Sequence, residues 1–201
     1  MKKQKLFIYG ASGHAKVVIE IAERLSYSIG GLVDADPAIQ QLLDYPVNTP
    51  FVINADDKWI IGIGNNNIRR KIAEGESRLY ATLCHPSTNI SSRAQIGEGT
   101  VVMAGVSINS EVRIAKHCII NTNASIDHDC NIADYVHISP NVALAGDVSV
   151  GQGTHIGIGA CVIQGIKIGK WCTIGAGAVV IRDVPDGARI VGNPARSIKS
   201  T

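Results

Sequence analysis

From Ile90 to Val180, every sixth residue is isoleucine, leucine or valine, an unbroken series of sixteen. Four residues after each comes a second compact residue, from Ala94 and Thr100 through Cys118, Cys130 and Cys172 to Val184. Six is not a period that a helix can bury on one face, and a flat strand would bury every second residue over a short run between turns. A chain that turns a corner every six residues buries both positions. Repeats of this kind mark a parallel β-helix, whose three short sides make one coil and whose successive coils stack as parallel strands. One coil is therefore 18 residues. The competing all-β sandwich calls for strands of uneven length between Gly and Pro turns.

Before residue 85 the hexads are absent and an α/β pattern replaces them. Leu6 to Tyr9 predicts a short buried strand, GASGHAK a glycine loop, and Val17, Val18, Ile21, Ala22 and Leu25 the apolar face of a helix. Ile29 to Val33 predicts a second strand ending at Asp34, and Trp59 to Ile63 a third that leads into GNNNIRRKI and a second helix. Arg78 to Leu83 predicts a last strand before the coils. The reading is a Rossmann-like domain over residues 1–84 and a β-helix domain over residues 85–201. In a βαβ unit the ligand sits at the carboxyl ends of the strands. Those ends carry Ser12, Gly13 and His14, then Asp34, then Gly64, Asn65 and Asn66.

A helix N-terminus behind a glycine loop favours a phosphate. Gly10, Gly13 and Asp34 imitate a dinucleotide fingerprint, but the motif is GxxGxA and only 84 residues are available, too few for a full NAD site with a substrate domain. A nucleotide or nucleotide-sugar site is the preferred reading, and a purely structural turn is its competitor.

A net charge of +2 without a Lys/Arg cluster argues against nucleic acid as a partner. The start, MKKQK followed by four apolar residues and a glycine, is too short for a signal peptide, and no apolar run is long enough to span a membrane. A soluble, cytoplasmic protein is expected. The five cysteines lack metal spacing. Cys118, Cys130 and Cys172 fall on inward positions and read as reduced core residues.

Hexad position also sets the direction of the histidines. His128, two residues after Ile126, points outward with Asp127 and Asp129 beside it. His137 points outward near a corner, and His155, one coil later, stacks above it. His128 and His137 are nine residues apart, half a coil, and so lie on opposite parts of the perimeter. Cooperation between them would have to cross a subunit boundary, which makes a cyclic oligomer part of the expectation. The intervals of 11, 9 and 18 residues from His117 to His155 contain no His-x4-His pair, so no metal is expected. A histidine held by a carboxylate suits base catalysis near neutral pH. Two solvated surface histidines are the alternative.

YGASGHAK, IGNNNIRRKI, ASIDHDC, YVHIS, GAGAVV and VGNPAR together resemble the hexapeptide-repeat nucleotide-sugar acetyltransferases with an N-terminal UDP-binding domain, the group of the bacillosamine-pathway N-acetyltransferases and sialic acid O-acetyltransferases. The resemblance implies a left-handed β-helix, a homotrimer, and acetyl-CoA as co-substrate, with a CoA-binding C-terminal tail. It implies that His128 is the general base for an acceptor amine and that Asp129, where the family often has glutamate, orients it. It places His137 near the acetyl-CoA thioester and the backbone around Ile158 and Ala176 along CoA. Ser12, Gly13, His14, Asp34 and Asn65 match the UDP-sugar end. The implied reaction is acetyl transfer to the 4-amino group of a UDP-linked dideoxy sugar. A GDP-linked perosamine, a sialic acid hydroxyl, or a non-catalytic nucleotide-binding scaffold are the alternatives.

Overall fold

The computed structural model describes residues 5–198. Most of the basic start and the last three residues of the basic tail lie outside that range. The N-terminal part is a three-stranded parallel sheet in the order β2 (Ser28–Val33), β1 (Lys5–Tyr9), β5 (Lys58–Ile61), with a two-residue ribbon of β3 (Gln41–Leu42) and β4 (Tyr45–Pro46) between β2 and β5. Helix α1 (Gly13–Arg24) buries Ala15, Val18, Ile19, Ile21 and Ala22. Helix α2 (Asn66–Gly75) follows β5 through a short glycine loop. The stretch predicted as one strand over Arg78 to Leu83 is divided. Tyr80 makes only a bridge to Trp59, and the strand proper is Leu83–Cys84, which pairs with Val101–Val102. The chain leaves the sheet there and joins the first coil, so no single ladder serves the whole stretch.

From Leu83 onward two-residue strands alternate with four-residue turns around three faces. The first face carries the strands at Leu83–Cys84, Val101–Val102, Ile119–Ile120, His137–Ile138, His155–Ile156 and Thr173–Ile174. It ends in Arg189–Val191 with an antiparallel return at Arg196–Ser197. The second face includes Ser107–Ile108, Ser125–Ile126, Ala143–Leu144 and Cys161–Val162, and the third includes Arg113–Ile114, Asn131–Ile132 and Ser149–Val150. Pairing is in register at 18-residue intervals, as between Ile120, Ile138 and Ile156. The aliphatic column and the compact column four residues on fill the interior. Thr100 and Thr154 enter it by donating to the Ala115 and Gly169 carbonyls at 2.9 and 2.7 Å and accepting from the amides of Cys118 and Cys172, both at 3.0 Å. Cys118, Cys130 and Cys172 are buried and unbridged, as their hexad positions predict.

The turns follow a rule of their own. From Gly99 to Gly177, the third residue after each aliphatic has φ between 54° and 73°. Glycine, asparagine and aspartate tolerate that left-handed conformation best. They hold most of these positions, and Asp129 is one of them. Glu111, His117, Tyr135 and Trp171 are the exceptions.

The two parts pack through the first face. Its outward residues Leu83, Val101 and Ile119 are buried in a cluster with Ala15, Val18, Ile19 and Ala22 of α1. The next two outward residues in that column are His137 and His155. The polar column therefore begins where the apolar joint ends.

Candidate active site

His128 stands in the turn after Ser125–Ile126, beside the left-handed Asp129. Its Nδ1 lies 2.8 Å from Asp129 Oδ2. Its amide donates to Asp127 Oδ1 at 2.8 Å, and the same oxygen accepts from Asn109 Nδ2, one coil earlier, at 2.7 Å. A carboxylate only accepts, so Nδ1 carries the proton and Nε2 presents a free lone pair. The hydrogen bond to Asp129 and the charge of Asp127 raise the pKa of His128 above the ordinary histidine value. The ring lies against Gly146, where a Cβ would stand 2.6 Å from Cε1 and 2.7 Å from Nε2. His128, Asp127, Asn109, Ser110 and Ser91 line a shallow cavity of about 330 Å3. An open groove of about 450 Å3 continues along the second face from Ser107 past Asp127 to Ala145, Ile163 and Gln164.

His137 lies elsewhere, on the first face at the joint between the two parts. Its ring stacks on His155 with centroids 4.8 Å apart, as the one-coil interval predicts, and His14 reaches within 6.4 Å from the N-terminal part. Asn121 Nδ2 is 3.2 Å from its Nε2, and the Gly64 backbone lies beside the ring. Ser139 Oγ fixes His155 Nε2 at 2.8 Å. Burial, followed by the charge of nearby His155, lowers the pKa of His137 to about 3. Burial and then the Arg69 charge lower that of His14 to about 4. Both rings are neutral at physiological pH. The Nε2 of His14 is buried and has no hydrogen-bond partner among the described residues.

The loops facing this joint begin two helices side by side, after the adjacent strands β1 and β5. Ser12 is the N-cap of α1, but its side chain makes no capping hydrogen bond and is exposed. Asn65 caps α2 by accepting from the Ile68 amide at 3.0 Å. Asp34 ties the glycine loop to the end of β2, accepting from the Ala11 and Asp36 amides at 2.7 and 2.9 Å. Gly10, at φ 99°, admits no side chain, since a Cβ would lie 2.6 Å from Ile63. Space is open at Gly13 and Gly64, where an added Cβ would meet nothing within 4 Å. Ile158 and Ala176 occupy equivalent exposed turn positions one coil apart, at the corner following the His155 and Thr173 strands. Their neighbours Gly159 and Gly177 also face open space.

Within one chain, then, His14, His137, His155 and the Gly64–Asn65 loop come together, with Ile158 and Ala176 at the adjoining corner. His128 and Asp129 stand at a different corner, across the second face. Sequence reasoning missed Arg69, a helical arginine that is 1% exposed and joins the two parts. The signal was an 18-residue column at one corner, His117, Tyr135, Gly153 and Trp171, which α2 follows. No group of three metal-ligating side chains occurs among the described residues.

Residues 5–75 match the PglD N-terminal domain family. Over 98% of its length the chain superposes on perosamine N-acetyltransferase from Caulobacter crescentus, solved as a mutant with CoA and GDP-perosamine, covering 97% of that chain with a TM-score of 0.90 at 37% identity. The chain belongs to this family of nucleotide-sugar N-acetyltransferases. Among other members, the acetyltransferase domain of PglB from Neisseria gonorrhoeae, solved with acetyl coenzyme A, is 36% identical with a TM-score of 0.89, over 98% of this chain and 100% of that one. UDP-N-acetylbacillosamine N-acetyltransferase of Bacillus subtilis is 42% identical over 109 residues, 48% of this chain and 50% of that relative, so the match spans about half of each. Like its relatives the family member described here joins a small α/β part to a parallel β-helix. No helix among its described residues is long and apolar enough to cross a membrane.

Proposed function

We propose that the protein transfers the acetyl group of acetyl-CoA to the 4-amino group of a UDP-linked amino-dideoxy sugar. The observation that carries this reading is the outward His128–Asp129 pair, 2.8 Å apart, with Nε2 unengaged and the His128 side chain lining a shallow cavity. The amine nitrogen attacks the thioester carbonyl carbon while His128 Nε2 takes its proton. Asp129 keeps the ring in the tautomer that can accept, and the imidazolium then gives the proton to the departing CoA sulfur as the tetrahedral intermediate collapses. The amide forms and the thioester C–S bond breaks, without an acyl-enzyme. Holding both substrates in one groove supplies much of the rate.

In this reading Ser12, Gly13, His14, Asp34 and Asn65 hold the nucleotide sugar, while His137, Ile158 and Ala176 border CoA. The separation of His128 from the His137 joint supports a homotrimer whose site is completed between neighbouring subunits. Acetyl-CoA and nucleotide sugars are cytoplasmic metabolites, and the product would supply a surface or protein glycan. A GDP-linked acceptor is the second reading, favoured by the full-length match to the GDP-perosamine complex.

Thiol release from acetyl-CoA over a panel of UDP- and GDP-linked 4-amino sugars, with His128→Ala alongside, tests both. Release with UDP sugars, abolished in a folded His128→Ala, is expected. Release with GDP sugars alone would move the acceptor to the second reading. Silence on every amine despite CoA binding would point to a hydroxyl such as that of sialic acid, and no CoA binding at all to a nucleotide-binding scaffold.

A further inference from the structure

Arg69 lies in the first turn of α2, and its guanidinium has as many acceptors as donors. Nε donates to the His117 carbonyl at 2.7 Å, one terminal nitrogen to the Ile63 and Gly64 carbonyls at 3.0 and 3.2 Å, and the other to Asn66 Oδ1 and the Tyr135 carbonyl at 2.8 and 2.9 Å. Asn66 in turn donates to the Gly153 and Thr154 carbonyls at 3.0 and 3.3 Å. His117, Tyr135 and Gly153 are successive members of one 18-residue column. One arginine and one asparagine thus read three consecutive coils of a single corner.

The apolar joint between α1 and the first face resists separation but sets register only loosely. Carbonyls stacked about 4.8 Å apart set it as teeth do. A buried guanidinium without a carboxylate is a poor source of stability, and such groups are better suited to fixing one arrangement. The arrangement fixed here includes the glycine loop. Gly64, whose carbonyl Arg69 holds, lies beside His137, and His14 of the neighbouring loop faces the same ring.

We propose that Arg69, seconded by Asn66, is a positioning residue for acetyl transfer. It locks the nucleotide-binding loops to the β-helix and so sets how far a bound nucleotide sugar reaches toward the thioester. The proposal rests on the reading of the protein as a nucleotide-sugar acetyltransferase. Lysine at this position would keep the charge but offer three donors instead of five and no planar fork.

The test uses the intact chain carrying Arg69→Lys and, separately, Asn66→Ala. Steady-state kinetics with the accepted nucleotide sugar, CoA affinity, and hydrogen exchange of residues 10–16, 62–66 and 130–160 are measured. A displacement of about 1 Å at a reacting centre costs about a hundred-fold in rate. For Arg69→Lys the expected result is therefore a fall of that order in kcat/KM for the sugar, with kcat lowered and KM raised. CoA affinity should stay within about two-fold, exchange should quicken at 10–16 and 62–66, and the coils should be unchanged. Asn66→Ala should move the same readouts less. Parental kcat and KM in Arg69→Lys would overturn the proposal, as would a parallel loss of CoA affinity and coil protection, which would mark a general folding role. If the parent protein turns over no nucleotide sugar, the functional reading falls alone. The exchange data still decide for or against the joint, because unaltered loop exchange in Arg69→Lys refutes it.

Discussion

Gly146→Ala tests the proposed role of His128 without changing its own side chain. A Cβ at this position would stand 2.6 Å from His128 Cε1 and 2.7 Å from Nε2. An ordinary carbon contact is about 3.5 Å, so the ring must retreat by roughly 1 Å. It is free to do so, because the side chain is 59% exposed. The backbone has no objection to alanine, since Gly146 is not among the residues with positive φ. Stability should therefore stay within roughly 0.5 kcal/mol of the parent, as for most surface substitutions. Catalysis should not. A retreat of that size breaks the 2.8 Å bond to Asp129 and moves Nε2 from its working place. From the cost of a 1 Å misplacement, kcat should fall by about a hundred-fold. The pH profile adds a second signature. If His128 is the proposed base, it works neutral, so the rate should rise with pH through a pKa that Asp129 and Asp127 hold above the ordinary value. With the Asp129 bond lost, that acid limb should move to lower pH even as the plateau drops. Thiol release followed across pH, with a thermal midpoint as control, reads both. A stable Gly146→Ala protein with parental kcat and an unmoved acid limb would refute the placement of His128 as base.

Asp129→Asn keeps a residue that tolerates the left-handed turn while removing the carboxylate, so the thermal midpoint should hold, kcat/KM should fall at least ten-fold, and its acid limb should shift downward in pH profiles. In acid, the unfolded chain protonates His14 and His137 from about pH 6.5 downward, whereas the folded chain does so only near about 4 and about 3. Their contribution is therefore intact above about pH 6.5 and is lost as pH falls toward 4. The thermal midpoint should drop across that window, and less steeply in His14→Asn. Cys84→Ala and Cys161→Ala should retain at least half of parental turnover in the thiol-release assay, because direct transfer requires no enzyme thiol.

The β-helix was legible because a six-residue period has no rival among regular elements, and the inward cysteines and the His137–His155 stack followed by counting. The left-handed turns were equally periodic, but they are written in backbone conformation, and His117, Tyr135 and Trp171 disguise them with side chains that are uncommon at such φ values. The strand expected over Arg78 to Leu83 failed because apolar alternation does not say where a chain exchanges one sheet for another. His14 meeting His137 depends on how two separately readable parts pack, and neither part's pattern contains that orientation. Arg69 was hidden by the ordinary expectation that a charged residue on a short helix faces water. Its acceptors are carbonyls, which leave no trace in side-chain identity.

In most β-helices a coil is an interchangeable unit, and gene segments encoding one can be duplicated or lost with little consequence beyond length. The corner read by Arg69 and Asn66 removes that freedom over part of this chain. Deleting 18 residues between His117 and Gly153 would draw every later rung about 4.8 Å toward the joint, bringing His155 to the place of His137 and moving His128 or its neighbours out of step with the loops. The coils between His117 and Gly153, repetitive in sequence, should therefore be inherited as a block of fixed count.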